Sequence, residues 1–222
     1  MLFRSGSDSD INWIMAMLQI RSAEKPFDSP GLHQQAVETM KRAEAMGLLP
    51  RDKIIEKLDL KTLRQVLTWL AKAGIGRGFY SDLEDPCAWD VPRLEKFLAR
   101  LNEALEDSPA PAFEWPRQIE VFGLDQLVRL LNVSPSSVRR YKDEERPTPD
   151  DVSARLHFLA LVVGDLAGAY NEVGIRRWFE RPRTALNNRS PAQLLTGEWN
   201  PNESGPSKVR DLARSLVTAA AT

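Results

Sequence analysis

The amino-acid sequence predicts an all-α protein. Apolar residues recur mostly at spacings of three and four positions, as amphipathic helices require, whereas strand-like patterns are scarce. Because proline cannot continue a helix interior, the helical patterns are broken at Pro26, Pro30, Pro50, Pro86 and Pro92. The 222 residues are enough for one large domain or two small ones, and either can bury a hydrophobic core.

The N-terminal half is predicted to be helical throughout. We predict helices at residues 9–22, 32–46, 51–58, 60–73 and 91–106. The fourth is the clearest, because its leucines share one face and Gly74 follows where a C-terminal cap belongs. The stretch DSPAPAFEWP at 107–116 contains three prolines and predicts a linker. The chain then divides into a helical N-terminal extension of unknown role at 1–112, a middle region at 113–149 and a C-terminal region at 150–222.

The composition and charge of the chain limit the kinds of partner and compartment that we expect. The formal net charge of -1 and the pI of about 6.2 mean that any contact with nucleic acid must come from a local basic patch. Cys87 is the single cysteine, which excludes an internal disulfide and fits a reducing compartment. The apolar run 11–20 is too short to span a bilayer, which takes about 20 residues, and no signal-peptide pattern is present. We expect a cytoplasmic protein without a membrane partner.

No motif predicts an enzyme. The glycine-rich stretch 74–78 follows a predicted helix, whereas a phosphate-binding loop follows a strand, so a cap and turn is the better interpretation. His33 and His157 are interpreted as structural or exposed rather than catalytic. No Cys/His cluster has metal-ligand spacing. We therefore expect a protein that is not an enzyme and that needs no cofactor and no metal.

The middle region predicts two short helices joined by a tight turn. The first helix, GLDQLVRLL at 123–131, carries an apolar stripe. Asn132 follows, and asparagine tolerates a left-handed backbone better than most residues. Ser134 is a good N-cap and Pro135 suits the first position of the second helix. Val138 and Tyr141 are then expected to face the first helix.

This arrangement is typical of a helix-turn-helix, whose second helix enters the DNA major groove. Small polar and basic residues are left on the outer face of the second helix, where serine and arginine can bind phosphates or base edges. The candidate DNA-binding residues are Ser136, Ser137, Arg139, Arg140 and Lys142. The alternative is a plain helical hairpin with solvated arginines. The acidic residues 143–145 oppose phosphate, so we expect DNA binding to depend on an oligomer.

The C-terminal region combines a long helix with a small module. A helix is predicted from Asp150 to about Asn171. Ser190 and Gln193 form a capping box that begins a short helix, with Gly197 after its end. A last amphipathic helix is predicted near 207–217. The segment from Trp178 to Leu186 supplies an apolar nucleus.

Residues 120–217 resemble the Xre/MbcA/ParS family of antitoxins. The resemblance rests on the Xre-like helix-turn-helix followed by tryptophan, proline, leucine and then Arg-Ser-Pro-x-x-Leu-Leu before a final helix. It implies a small helical toxin-binding domain at 150–222 and a RES-domain toxin, an enzyme that consumes NAD⁺, as partner. It also implies that the C-terminal helix covers the toxin's cleft, that the protein forms a homodimer or larger assembly, and that it binds operator DNA to repress its own operon.

The candidate toxin-binding residues are the basic and aromatic side chains of this region, since arginine and tryptophan are favoured at interfaces. They are Arg176, Arg177, Trp178, Arg181, Arg183, Arg189, Lys208, Arg210 and Arg214. The alternative function is a stand-alone helix-turn-helix transcriptional regulator whose C-terminal module mediates dimerisation. An interaction adaptor that does not bind DNA is a third possibility.

Overall fold

The computed structural model of the protein describes residues 20–50, 55–76 and 90–220. Within these ranges the chain is mostly helical, as predicted, and its helices are α1 (Pro30–Ala45), α2 (Leu60–Lys72), α3 (Val91–Glu106), α4 (Pro111–Phe122), α5 (Leu124–Leu131), α6 (Pro135–Lys142), α7 (Asp150–Leu166), α8 (Glu172–Glu180), α9 (Pro191–Leu194) and α10 (Ser204–Ala220). A 3-10 turn covers Thr184–Leu186. None of the helices in the described ranges is long and apolar enough to cross a membrane.

Two predicted helices are wrong where the structure describes them. Strand β1 (Ile20–Ala23) pairs in parallel with strand β2 (Ile55–Leu58), although helices were predicted at 9–22 and 51–58. Residues 9–19 and 51–54 lie outside the described residues. Each strand is only four residues long, and its hydrogen bonds come from a segment far away in the sequence. A local hydrophobic pattern cannot reveal such a pairing.

The other N-terminal helices are confirmed at α1, α2 and α3. Asp59 and Asp90 cap α2 and α3 by accepting hydrogen bonds from backbone N–H groups three residues on. Gly74 follows the C-cap of α2 with a positive φ of 83°, a conformation that glycine adopts without strain. The glycine stretch thus ends a helix, as predicted, over the residues that the structure describes.

The predicted linker at 107–116 is wrong for most of its length. Helix α4 begins at Pro111. Proline is tolerated in the first turn of a helix because an N–H group there has no partner within the helix. Trp115 is fully buried, stacks on Tyr141 at 5.8 Å between ring centroids and donates a hydrogen bond to Thr148. Only the short segment 107–110 separates α3 from α4. The proline content suggested a linker, but the burial of Trp115 stabilises a packed helix instead.

Helix α7 lies between two clusters of buried apolar side chains. One cluster is built by α1 to α3 and the strands and includes Ala160 of α7; the other is built by α4 to α10 and includes Ala45 of α1. Helices α1 and α7 cross closely at Gly164, where an added Cβ would lie 3.4 Å from the Cα of Arg42. The helix ends at Leu166, five residues before the predicted end near Asn171. The division of the chain into three domains stays a prediction.

Candidate functional site

The turn between α5 and α6 has the predicted local geometry. Asn132 caps α5 in the left-handed conformation, with φ 53° and ψ 49°. The Ser134 hydroxyl accepts a hydrogen bond from the backbone N–H of Ser137 at 3.1 Å and caps α6. Val133 lies between these caps and packs against the core. These residues fix the direction in which α6 leaves α5, and we call residues 124–142 the α5–turn–α6 unit.

The inner face of α6 is held by the core. Val138 is fully buried and Tyr141 is 7% exposed, as predicted. Tyr141 stacks on Trp115 of α4, and Val128 of α5 packs against the same cluster while staying half-buried. Helix α6 therefore cannot rotate about its axis without losing this packing. The packing of Val138 and Tyr141 therefore determines which face of α6 points outward.

The outer face of α6 carries most of the predicted DNA-binding side chains. Ser136, Arg139, Arg140 and Lys142 are exposed. Ser137 is half-buried, and its hydroxyl lies 2.9 Å from that of Ser134, so it is less available than predicted.

The three basic residues of α6 differ in their local contacts. Arg140 donates a weak hydrogen bond of 3.4 Å to the Ser136 carbonyl, and Lys142 pairs with Asp143 at 3.3 Å. Both interactions are exposed, so they compete weakly with a ligand. Arg139 has no side-chain hydrogen bond or ion pair within the described residues. Glu144 and Glu145, next to Asp143, are exposed as well.

The structure separates the predicted toxin-binding residues into two groups. Arg177, Arg181, Arg189 and Lys208 are exposed and form no hydrogen bond or ion pair through their side chains in the part of the chain that the structure describes. These four residues form what we call the free basic set. Their charges are available to a partner.

Trp178 is a correction to the predicted interface. Its side chain is 1% exposed and packs edge-on against Phe179, with ring centroids 5.2 Å apart. The guanidinium of the half-buried Arg183 covers the indole at 5.4 Å from the ring centroid. Trp178 is therefore a core residue and cannot contact a partner. Arg183 mainly shields it by a cation–π contact.

Three further arginines form internal contacts, although Arg214 stays exposed, and their assignment to the interface stays a prediction. Arg176 donates hydrogen bonds to the carbonyl oxygens of Val121 at 2.5 Å and Glu120 at 3.2 Å, and so binds the C-terminal end of α4. Arg210 and Arg214 form ion pairs with acidic residues of α3 and α7. Residue type alone could not distinguish these arginines from the free basic set.

The capping box that opens α9 is confirmed. The Ser190 hydroxyl accepts from the Gln193 N–H, and the Gln193 side chain accepts from the Ser190 N–H. Helix α9 ends at Leu194, and Gly197 follows with a positive φ of 71°. An open groove of about 250 Å³ runs between α5, α8 and α9, with Arg129 and Glu180 on its wall.

A buried pair of ionisable side chains was not predicted. Nδ1 of His157 lies 2.6 Å from Oε1 of Glu114, and Nε2 lies 2.9 Å from the backbone carbonyl oxygen of Glu106. A carbonyl oxygen only accepts, so Nε2 carries a proton, and the contact between Nδ1 and Oε1 shares another. Burial raises the pKa of Glu114, although the contact with His157 acts in the opposite direction. The pair links α3, α4 and α7. Its members lie 43 positions apart in the sequence, so no local pattern could predict the contact.

No protein-family model, curated protein or solved structure matched this chain.

Proposed function

We propose that this protein is the antitoxin of a type II toxin-antitoxin system. In this proposal it binds and blocks a RES-type, NAD-consuming toxin and represses its own operon through a helix-turn-helix formed by the α5–turn–α6 unit. The DNA-binding half rests on geometry: a capped two-helix unit whose inner face is fixed by the core and whose outer face is basic. The toxin-binding half rests on the resemblance of residues 120–217 and on the free basic set.

The geometry of α6 is the single observation that carries the DNA-binding half of the proposal. Its fixed inner face leaves Ser136, Arg139 and Arg140 together on the outside of a helix that begins with an N-cap. A helix of this kind can lie in the major groove with its arginines on phosphates or guanine edges. The acidic residues that follow α6 reduce the attraction to DNA, which favours binding as a dimer to two half-sites.

DNA binding is tested with a duplex from the promoter of the protein's own operon. The double variant Arg139→Ala/Arg140→Ala should bind roughly 10- to 100-fold more weakly, and the slope of log K against log salt should fall by about 2. Lys96→Ala, a loss of one exposed charge on α3, is the control and should leave both quantities unchanged. Equal binding and slope for the double variant and the wild type would remove α6 from the DNA interface.

Toxin binding is tested by rescue of growth when the chain is co-expressed with a RES-type toxin encoded beside it. Charge reversal in Arg177→Glu/Arg181→Glu should reduce rescue, since charged pairs across an interface set its specificity and its association rate. Lys61→Glu/Arg64→Glu on α2 makes the same charge change at two exposed residues and serves as the control. Full rescue by both double variants would argue against the free basic set as the toxin-binding surface.

Deleting residues 207–222 is a poorer test of the same surface. The deletion removes Val209 and Ala213, both fully buried, from the core as well as removing Lys208. Loss of rescue would then report unfolding as readily as loss of contact. Point substitution of exposed residues avoids this ambiguity.

The stand-alone regulator is the second candidate, and a specific observation favours it. Trp178 and Arg210, both predicted to contact a toxin, are engaged inside the protein. These two residues are therefore accounted for without a toxin, unlike the free basic set. Operator binding by a dimer, together with absence of rescue from any neighbouring toxin, would favour this candidate.

A further inference from the structure

A cluster of six charged side chains joins the N-terminal extension to the C-terminal helix. It balances three arginines against three carboxylates and draws on four helices, α1, α3, α7 and α10. We call it the inter-helix charge cluster, and its members are Glu38, Arg42, Glu106, Asp165, Arg210 and Arg214.

Glu106 is the residue that the arginines share. Its Oε1 lies 2.7 Å from Nη2 of Arg42, 3.2 Å from Nη2 of Arg210 and 2.9 Å from Nη2 of Arg214. Arg42 belongs to α1, whereas Arg210 and Arg214 belong to α10. A single carboxylate of α3 therefore holds the extension and the C-terminal helix together.

The backbone of Glu106 is fixed as well. Glu106 is the last residue of α3, and its carbonyl oxygen accepts the hydrogen bond from Nε2 of His157 on α7. Arg42 also donates a hydrogen bond to the Asn102 carbonyl one turn earlier in α3. Contacts within α1, α3 and α7 therefore position the Glu106 carboxylate independently of α10.

The apolar contacts of α10 complement this charge contact. Val209 and Ala213 are fully buried against the core, and α10 packs chiefly on α7. Arg210 and Arg214 stand one turn apart, as Val209 and Ala213 do, so each arginine lies beside a buried residue. Leu212 and Leu216 pack half-buried against the same core, so apolar burial holds α10 against α7 and the arginines add contacts that depend on direction.

The cluster is incompletely hydrogen-bonded on the side of Asp165. Asp165 is 8% exposed, and its Oδ2 lies 3.6 Å from Nε of Arg210 and 3.5 Å from Nε of Arg214. Neither contact meets hydrogen-bond geometry, and Oδ2 has no hydrogen-bond partner among the residues that the structure describes. Nη2 of Arg210 also lacks a hydrogen-bond partner among the described residues, so its pair with Glu106 contributes charge alone. The directional contact of α10 in this cluster is the hydrogen bond of 2.9 Å from Nη2 of Arg214 to Oε1 of Glu106.

We infer that Glu106 is a positioning residue through which the N-terminal extension fixes the C-terminal helix α10 in its docked orientation. The extension then orders the helix that carries Lys208, one of the free basic set. Ordering a helix before it meets a partner lowers the entropy cost of binding. That consequence for a toxin rests on the proposed function, whereas the positioning of α10 does not.

The test is hydrogen exchange of the full chain, measured by mass spectrometry on peptides from α10 and α7. Glu106→Gln keeps the shape of the side chain and removes its charge, and amides of α10 should exchange about tenfold faster while α7 keeps its protection. Glu103→Gln, an exposed residue of the same helix, is the matched control and should exchange like the wild type. Equal α10 exchange in Glu106→Gln and Glu103→Gln would overturn the inference.

A second variant keeps the test decisive if Glu106→Gln does not fold. Arg214→Gln removes the more exposed arginine from the opposite side of the contact and should also speed exchange in α10. In the double variant the two effects should be less than additive, because both substitutions break one interaction. Unaltered exchange in Arg214→Gln, or full additivity in the double variant, would contradict the role of Glu106.

Toxin capture separates this inference from the proposed function. Glu106→Gln should release a co-expressed RES-type toxin faster than Glu103→Gln does, in parallel with its faster α10 exchange. Faster exchange with unchanged capture would support positioning by Glu106 and would contradict the involvement of α10 in toxin binding.

Discussion

Replacing His157 with leucine should destabilise the protein by leaving Glu114 buried without a partner. Glu114 is 0% exposed, and in the described part of the chain its one side-chain partner is His157, 2.6 Å away. Removing one member of a buried pair costs about 3–5 kcal/mol. The Glu106 carbonyl also loses its hydrogen bond to Nε2, which adds about 1 kcal/mol. We expect a loss of about 4–6 kcal/mol, against a total stability of about 5–15 kcal/mol for a typical domain.

The stability lost in His157→Leu should be larger at high pH than at low pH. Burial raises the pKa of Glu114, and the contacts with His157 are the strongest of those that lower it, so the pKa of Glu114 should be still higher in the variant. A carboxyl whose pKa is raised by folding contributes stability below its unfolded pKa of about 4.3, and that contribution is lost as pH rises through the folded pKa. The variant should therefore be more stable near about pH 5 than near about pH 8.

Urea unfolding followed by circular dichroism at both pH values measures these differences. His33→Leu, a half-buried histidine of α1, is the control for the same chemical change and should cost far less. The double variant Glu114→Leu/His157→Leu should recover most of the loss, because an apolar pair replaces a buried ionisable pair at little cost. A loss below about 1 kcal/mol in His157→Leu, or the same loss at both pH values, would refute the reasoning.

Three further substitutions should each lower the urea midpoint. Ser134→Ala removes the N-cap of α6 and should cost about 1 kcal/mol, whereas Ser215→Ala on the exposed face of α10 should cost less. Trp199→Phe keeps the ring against Phe158 but leaves the Leu130 carbonyl without its donor at 2.8 Å, and should cost about 1–3 kcal/mol. Gly164→Leu should separate α1 from α7 at a cost of about 1–3 kcal/mol, while Gly164→Ala should be tolerated, because its Cβ meets α1 at ordinary contact distance.

Local devices were predicted well from the sequence because their physics acts over a few residues. The Ser134 cap and the Ser190 capping box each join a side chain to a backbone group three positions away. The Asn132 cap depends on the left-handed backbone of that residue, whose N–H bonds to carbonyls three and four positions earlier. The same holds for the end of α2 at Gly74. These positions are visible in the sequence because no distant segment is needed to satisfy them.

The features that were predicted wrongly depend on contacts that a short stretch of sequence does not reveal. The pairing of Ile20–Ala23 with Ile55–Leu58 and the burial of Trp115 each need a partner that no short window contains. Trp178 shows the same limit at the candidate site. Four arginines lie within five positions of it, at 176, 177, 181 and 183, which suggested an exposed interface, yet its indole is 1% exposed and belongs to the core cluster built from α4 to α10.

The three predicted regions need not be independent folding units. Every residue of α7 from Arg155 to Leu166 is buried, and α1 covers one side of that helix while α4 and α10 cover others. A chain that begins at residue 113 would expose Ala160 and Gly164 to water and would leave Arg210 and Arg214 without Glu106. Exposed apolar surface and unpaired buried charge both cost free energy. The extension therefore contributes to the stability of the very region that the resemblance covers, and a fragment without it should be less stable than the full chain by urea unfolding.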